Sequence, residues 1–295
     1  MIVATGPVHP VAEEILGPIE VPSDWRALLG QAEALLVRGG DVVTAADLDA
    51  APRLKVIGRS GIGVDTVPVE AARARGIPVV VTPGAGARAV AEGALALLLA
   101  LVKRLPELDG AVRGGDWGAR DRLELGDLEG AALGIVGYGR IGRALGDLAG
   151  ALGMHVAAHD PAVPDATVPL ERLFAECDAV SLHAPLTDET RALVGPALLA
   201  QAKPGLILVN TSRGAVVSSL DDLLAALDAG RLGGVGLDVF ADEPPDTSHP
   251  LFSHPRVLVT PHALGLTRRS REQIFRAMAE GVAAALRGEA PPHVA

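Results

Sequence analysis

The chain has 295 residues, of which 49% are hydrophobic and 21% charged, and its formal net charge is −10. A chain of this length can bury a sizeable core, and its length favours two domains of ordinary size. The negative charge and the dispersed Lys and Arg residues argue against a nucleic-acid partner, because phosphate backbones require clustered cations.

The N-terminal stretch MIVATGPVHP has no basic start, and Pro7 interrupts its apolar run before it reaches the length of a signal peptide. The longest apolar run, residues 94–102, is far shorter than the roughly 18 residues that indicate a membrane span. We therefore predict a cytoplasmic protein with no membrane partner.

Short apolar runs alternate with helix-like stretches along most of the chain. IVAT, ALLV, KVIG and PVVV predict a smaller α/β unit over about residues 1–87. From residue 130 on, six near-continuous runs follow, ALGIVG, HVAAHD, AVSLHA, LILVNT, GVGLDV and VLVTP, and they are typical of a parallel sheet that is buried on both faces. Two sheets imply two domains.

Two helical segments have informative composition. RAVAEGALALLLALVKRL is apolar nearly all the way round, so it must be buried on several sides, as an interdomain element or as a subunit contact. We expect one apolar face of this helix to stay exposed in a monomer, and we therefore predict a homodimer. SSLDDLLAALDAG has a serine cap, acidic residues in its first turn and Gly230 at its C-terminal end, which predicts a helix with well-defined limits.

The single cysteine, Cys177, excludes an intrachain disulfide and a cysteine-based zinc site. It lies at a predicted helix end, where we interpret it as a packing residue. No His-Glu-x-x-His motif is present, and His183 and His262 are 262 − 183 = 79 residues apart, so we expect no metal.

ALGIVGYGRIG places Gly137, Gly139 and Gly142 in a G-x-G-x-x-G pattern between a predicted strand and a predicted helix. The first glycine permits the tight turn, the second lets a pyrophosphate approach, and the third allows close packing. The alternative is a tight turn without a ligand. Asp160 lies 160 − 142 = 18 positions further on, where an acid contacts the ribose diol of NAD and repels the 2′-phosphate of NADP. Its alternative role is to cap the turn at Pro161.

Polar side chains follow four consecutive later runs, in the order His183, Arg213, Asp238 and His262, with Glu243 five residues after Asp238. Singly, each has a structural explanation, such as a backbone-bonded histidine or a surface charge. Because ligands bind outside the carboxyl ends of parallel strands, their joint occurrence predicts an active site.

The sequence resembles the D-isomer-specific 2-hydroxyacid dehydrogenase family, in particular its phosphoglycerate dehydrogenase and hydroxypyruvate reductase members. Seven segments in family order carry this resemblance over nearly the whole chain: GRSGIGVDTV, TPGAGARAVAEGALALLLAL, LGIVGYGRIG, HAPLTDETRALV, LVNTSRGAVV, DVFADEPP and TPHALGLT. It implies an α/β fold with two doubly wound parallel-sheet domains. A smaller, flavodoxin-like substrate-binding domain is expected over 1–95 and 270–295, and a Rossmann NAD-binding domain over 96–269.

The resemblance implies an oxidoreductase that transfers a hydride between NAD(H) and a small D-2-hydroxy acid or 2-keto acid of the hydroxypyruvate, glyoxylate or phosphoglycerate type. The residues matching the family's catalytic positions are Arg213, Glu243 and His262. Those matching its cofactor positions are Gly137, Gly139, Arg140, Ile141, Gly142, Asp160, His183, Thr211 and Asp238. Those matching its substrate loop are Arg59, Ser60, Gly61, Ile62 and Gly63.

Chemically, the alkoxide that forms on hydride transfer needs a proton, which a protonated imidazole supplies near neutral pH. We assign this role to His262, with Glu243 favouring its charged form and orienting it. The planar guanidinium of Arg213 suits a carboxylate or a polarised carbonyl.

Residues at three positions leave the identity of the substrate undecided. Gly86 replaces an asparagine that is common in the family, and Leu264 replaces a small residue, which could narrow the pocket. Arg59 could bind a distal phosphate or be a solvated rim arginine. We expect no appended regulatory domain after the last helical pattern. The alternatives to this enzyme are a non-catalytic NAD-sensing protein of the co-repressor type and a formate or phosphite dehydrogenase.

Overall fold

The structure is a computed structural model that describes residues 1–295. Ten strands are present: β1 (Ile2–Ala4), β2 (Ala34–Val37), β3 (Val56–Arg59), β4 (Val79–Val80), β5 (Ala132–Val136), β6 (His155–His159), β7 (Ala179–Leu182), β8 (Leu206–Asn210), β9 (Leu232–Leu237) and β10 (Val257–Val259). Ten α-helices accompany them: α1 (Pro10–Leu16), α2 (Ala45–Asp49), α3 (Val69–Ala74), α4 (Ala87–Val102), α5 (Leu105–Arg113), α6 (Arg140–Ala151), α7 (Leu170–Glu176), α8 (Pro196–Leu199), α9 (Leu220–Asp228) and α10 (Arg268–Leu286). Each sheet is wholly parallel in its named strands, as the sequence predicts.

The chain divides into two compact units. The small unit comprises Met1–Gly86 and Leu266–Ala295, and the large unit comprises Ala87–Gly265. The predicted junctions at residues 95 and 270 are therefore displaced. The first lies inside α4, a helix that packs as one piece in the core of the large unit through Leu97, Leu98 and Leu101. The second would cut α10 from its N-cap Thr267, whose side chain accepts a hydrogen bond from Ser270 N.

The small unit holds the four-stranded sheet, in the order β1-β2-β3-β4. A further segment at Glu20 pairs in parallel on the free side of β1, where Ala4 N donates to Glu20 O at 2.8 Å and Glu20 N donates to Ile2 O at 2.9 Å. Counting this segment, the spatial order is second, first, third, fourth, fifth. This is the flavodoxin-like order, and it confirms the predicted class of the smaller domain.

The large unit holds a six-stranded sheet in the order β10-β9-β8-β7-β5-β6. Strands β7 and β8 are buried along their whole length, as expected for strands covered on both faces. The strand order reverses at β5, because the chain next adds β6 on one side and β7 on the other. In doubly wound sheets the dinucleotide binds at this point, beyond the carboxyl ends of the strands.

The helix signals in the sequence are confirmed where they are strongest. Helix α9 begins after Ser219, whose hydroxyl accepts a hydrogen bond from Asp222 N, and Gly230 follows its end with φ of 69°. Cys177 caps the C-terminus of α7 and is buried, and this burial raises the pKa of its thiol to about 11. It is a packing residue, as predicted.

Helix α4 is apolar because it lies inside the large unit. Seven of its sixteen residues are buried, and Leu101 lies close to β9 at Gly234 and Gly236. Most of its surface is therefore covered without a second chain. Neither α4 nor any other helix has the combination of length and hydrophobicity that a membrane crossing requires.

Candidate active site at the carboxyl edge of the large sheet

Each strand of the large sheet is followed at its carboxyl end by a segment that the sequence singles out. Across the sheet, from β10 to β6, these segments carry His262, Asp238, Arg213, His183, the glycine loop and Asp160 in turn. The polar side chains thus lie on one side of the strand-order reversal, together with β7 to β10. Asp160 lies on the other side.

The glycine loop joins β5 to α6, and each glycine has a separate reason to lack a side chain. Gly137 has φ of 90°, and a Cβ there would lie 2.5 Å from Ala184 N. A Cβ on Gly142 would overlap the carbonyl oxygen of Gly137. Gly139, in contrast, is exposed and has no atom within 4 Å of a Cβ position. The loop is therefore tight at its first and third glycines and open at its second, in front of the α6 N-terminus.

Asp160 follows β6 and connects two turns. Its Oδ2 accepts a hydrogen bond from Tyr138 N at 2.8 Å, inside the glycine loop, and its Oδ1 accepts one from Ala162 N at 2.9 Å. The turn-capping role considered from the sequence is thus present. Each carboxylate oxygen can accept a further bond, so the same side chain can also accept ribose hydroxyls.

His183 lies beyond the end of β7, between two hydroxyl groups. Its Nε2 is 2.9 Å from Ser181 Oγ and its Nδ1 is 3.4 Å from Thr211 Oγ1. Burial lowers the pKa of His183 to about 4, so the ring is neutral at physiological pH. It can donate one hydrogen bond and accept another, but it is no source of protons.

His262 and Glu243 form the one histidine–carboxylate pair among the predicted site residues. His262 Nδ1 lies 2.8 Å from Glu243 Oε2, and Glu243 Oε1 accepts a hydrogen bond from Phe240 N at 3.0 Å. The His262 side chain is 44% exposed. With Nδ1 engaged by the carboxylate, Nε2 is the nitrogen that remains for a substrate.

The backbone at His262 is unusual, with φ of 52° in the left-handed region. Non-glycine residues keep this conformation only where their surroundings hold it. Much of that hold comes from Asp238, which is 3% exposed. Its Oδ1 accepts from Thr260 Oγ1 at 2.6 Å and from Ala263 N at 2.9 Å, and its Oδ2 accepts from Leu264 N at 3.3 Å.

The sequence did not predict that Asp238 fixes the backbone around His262. It assigned Asp238 only to the cofactor. The signal that could have indicated it is the position of Thr260 beyond the end of β10, the neighbour of the strand that precedes Asp238. A hydroxyl and a carboxylate at the ends of adjacent parallel strands are within reach of each other.

Arg213 follows β8 in a loop that Asn210 shapes. Asn210 is fully buried, its Nδ2 donates to Arg213 O at 2.9 Å, and its Oδ1 accepts from Ser212 N and Oγ. A Cβ on Gly214 would overlap the backbone of Phe240. Sequence reasoning missed Asn210 and Gly214, although a polar residue closing a fully apolar strand is a recognisable signal.

The predicted substrate loop lies in the small unit, beyond β3. Gly61 has φ of 153°, and Ile62 is 57% exposed. Arg59 is only 4% exposed and its Nη2 donates to Gly39 O at 2.5 Å. The interpretation of Arg59 as a solvated rim arginine is therefore wrong, since its guanidinium is buried inside the unit.

The family model for the D-isomer specific 2-hydroxyacid dehydrogenase NAD-binding domain matches residues 95–263, more than half of the chain. A glyoxylate reductase of Thermococcus litoralis is 40% identical over 278 residues, which cover 90% of this chain and 83% of that protein. The chain belongs to the D-isomer-specific 2-hydroxyacid dehydrogenase family. The predicted resemblance and the predicted NAD cofactor are confirmed.

Other members of the family are similar over most of this chain. A D-3-phosphoglycerate dehydrogenase of Mycobacterium bovis is 40% identical over 274 residues, covering 90% of this chain. The chain spans only about half of that protein, 51% of its length. A D-lactate dehydrogenase structure from Aquifex aeolicus, complexed with NAD and lactic acid, has a TM-score of 0.88 at 29% identity and covers 98% of this chain and 96% of its own.

The local structure fits the NAD of this family. The exposed, unobstructed surface at Gly139 lies at the α6 N-terminus, where Arg140 and Ile141 form the first turn and free backbone amides favour a pyrophosphate. Asp160 keeps acceptor capacity for a ribose diol. The neutral ring of His183 and the hydroxyl of Thr211 offer uncharged hydrogen-bonding groups on the β7 and β8 side.

Proposed function

We propose that this dehydrogenase-family chain reduces a small 2-keto acid to the D-2-hydroxy acid with NADH, and catalyses the reverse reaction with NAD. The observation that carries the proposal is the pair of His262 Nδ1 and Glu243 Oε2 at 2.8 Å, beyond the carboxyl edge of the NAD-binding sheet. A carboxylate-backed imidazole with its second nitrogen available is suited to move a proton to or from an oxygen.

The bound dinucleotide supplies the hydride. In the direction of reduction, His262 Nε2 gives its proton to the keto oxygen as that oxygen gains negative charge, and Glu243 stabilises the imidazolium and fixes its ring orientation. In oxidation His262 takes the proton back from the hydroxyl. Arg213 contributes a planar donor pair for the substrate carboxylate or carbonyl. In the small unit, the loop of residues 60–63 stays a proposed substrate-binding segment.

The substrate class extends the family assignment by analogy. Relatives named glyoxylate reductase and D-3-phosphoglycerate dehydrogenase are equally identical to this chain, at 40% each. Glyoxylate and hydroxypyruvate fit the proposal without a phosphate site. A phosphorylated acid would need a cation other than the buried guanidinium of Arg59.

The test is consumption of NADH and NADPH with glyoxylate, hydroxypyruvate, pyruvate, phenylpyruvate, 2-ketoglutarate and phosphohydroxypyruvate. We expect turnover of at least one acid with NADH. Glu243→Gln should lower kcat, because the imidazole loses the carboxylate that orients it at Nδ1. An unchanged kcat would contradict the role of the pair. Tight NADH binding without turnover of any acid would instead support the NAD-sensing alternative. Turnover of formate or phosphite alone would support the alternative of a formate or phosphite dehydrogenase.

Preference for NAD over NADP is proposed to depend on Asp160, since a carboxylate at the ribose repels a 2′-phosphate. Asp160→Ser keeps an acceptor for a backbone amide and removes the charge. We expect the ratio of kcat/KM for NADH over NADPH to fall at least tenfold, about 1.4 kcal/mol. A ratio that does not change would remove Asp160 from cofactor selection.

A homodimer is also proposed, but its surface differs from the one considered in the sequence. Four of the thirteen exposed large hydrophobic side chains fall within the 23 residues that follow α4, namely Leu105, Val112, Trp117 and Leu125. Trp117 is 70% exposed. Such a concentration favours a subunit contact. Trp117→Ser should convert a dimer, measured by light scattering, to monomer, and a wild-type monomer at micromolar concentration would overturn the proposal. The cytoplasmic location stays a prediction.

A further inference from the structure

The side chain of Leu264 lies directly on the backbone of α4 at Gly93. A Cβ on Gly93 would be 2.5 Å from Leu264 Cβ and 3.1 Å from its Cγ and Cδ1. Real Cβ atoms do not approach other carbons this closely. Positions 93 and 264 therefore share one volume, which Leu264 fills only because residue 93 has no side chain.

The neighbouring residue makes the same kind of approach. A Cβ on Gly265 would be 3.1 Å from Val90 Cγ2, one helical turn before Gly93 on α4. Leu264 also packs against the apolar cluster that contains Ala94 and Leu97 of this helix. The segment after His262 is thus pressed onto the first half of α4.

This contact completes a pair of anchors around His262. On one side, the Asp238 carboxylate accepts hydrogen bonds from Thr260, Ala263 and Leu264. On the other side, Leu264 is inserted into the space above Gly93. The left-handed backbone of His262 immediately precedes the residues that both anchors hold, so a shift of those residues would turn the imidazole away from Glu243.

We propose that Gly93 and Leu264 form an interlock that positions His262 for proton transfer, an inference that rests on the proposed function. Neither residue is catalytic. Leu264 acts as an anchor on α4, in place of the pocket-narrowing role that its size suggested from the sequence. A displacement of about 1 Å at a reacting group can lower the rate about a hundredfold. An anchor two residues from His262 can therefore affect kcat.

The test is a cycle of three variants. Gly93→Ala places a methyl group where Leu264 Cβ lies, so we expect kcat to fall about tenfold or more with KM for the keto acid changed less than about threefold. Leu264→Gly removes the anchor and should lower kcat in the same way. In Gly93→Ala/Leu264→Gly the new methyl fills the vacated space, and kcat should return to within about threefold of wild type.

Two controls separate this role from general packing damage. Gly93→Ala/Leu264→Ala should not recover, because the overlap is at Cβ and alanine keeps that atom. Gly234→Ala places a methyl 3.2 Å from Leu101 Cδ2, at the other end of α4. It should lower Tm and leave kcat within about twofold, since it does not touch the His262 segment.

A readout that needs no turnover distinguishes failure of the interlock from failure of the proposed function. The ¹⁵N chemical shift of His262 Nδ1, assigned by comparison with His262→Asn, reports its hydrogen bond to Glu243. We expect it to change in Gly93→Ala, to return in the rescuing double variant and to stay constant in Gly234→Ala. Folded Gly93→Ala and Leu264→Gly proteins with wild-type kcat and Nδ1 shift, or single effects that simply add in the double variant, would overturn the interlock.

Discussion

The two ends of the carboxyl edge differ in how they are held. In the glycine loop between β5 and α6, a Cβ on Gly142 would overlap Gly137 O within the turn itself, and a Cβ on Gly137 would overlap the backbone of Ala184 after β7. The His262 segment is shaped by residues far along the chain. Asp238, Glu243 and Gly93 precede it by 24, 19 and 169 positions, taken as differences of residue numbers. The glycine loop thus depends partly on local backbone geometry, whereas the His262 segment depends on contacts with residues that are distant in the sequence.

The largest effect is expected on replacing His262, the side chain that the tertiary contacts hold in position. His262→Asn keeps a polar side chain but cannot donate a proton at neutral pH. We expect kcat to fall by about 10³ with NADH affinity unchanged, within the range that general acid catalysis contributes. Steady-state rates and NADH fluorescence titration measure the two quantities. A drop of less than tenfold would assign the proton to another group.

Asp238→Asn tests whether the contacts themselves matter. An amide presents an N–H₂ group to one of the donors that the carboxylate accepts, so at least one bond is replaced by a donor facing a donor. We expect kcat to fall about a hundredfold and the unfolding free energy to fall by about 1–3 kcal/mol. Urea titration measures the second value. Thr260→Val, which loses a single bond, serves as the milder control and should fall between wild type and Asp238→Asn.

The local end of the comparison is tested at the second glycine. Gly139→Ala adds a methyl that meets no atom of the chain, so folding should be unaffected. The methyl would occupy surface that a pyrophosphate approaches, and we expect NADH affinity to weaken about tenfold with Tm unchanged. Gly142→Ala overlaps Gly137 O and should lower Tm as well. Equal effects of the two variants on Tm would contradict the separation of turn and ligand roles.

The last prediction concerns stability in acid and involves no turnover. Burial lowers the pKa of His183 from 6.5 to about 4, so the unfolded chain binds the proton first as pH falls. Stability is thus lost between about pH 6.5 and pH 4, by up to roughly 3 kcal/mol. Urea midpoints at pH 7.5 and 5 should differ less for His183→Asn than for wild type. Parallel losses in both proteins would show that other groups dominate.

The same contrast explains what could be predicted from the sequence. All ten strands coincide with the quoted apolar runs, and the glycine pattern, the α9 caps and the strand-end polar residues are local signals that the structure retains. The pairing of His262 with Glu243 followed from the family resemblance. The domain junctions, the burial of Arg59 and the partner of Leu264 could not be predicted, because each depends on which distant residue lacks or provides a side chain.

Asp238 shows this limit most clearly. Its position at the end of a strand indicates a functional residue, and the resemblance assigns it to the cofactor. Its three hydrogen bonds to residues 260, 263 and 264 depend on β9 and β10 being neighbours, which neither composition nor periodicity shows. Sheet order is the information that a single sequence lacks.

Cys177 can report how often the interior of the large unit opens to solvent. It is the only thiol in the chain, it is buried behind α7, and at neutral pH it is fully protonated. A thiol reagent reacts with the thiolate of an accessible cysteine, so each labelled molecule records one opening of this region. The labelling rate of the unmodified protein therefore measures how often the β5–α7 layer opens, without an added probe or a change of sequence.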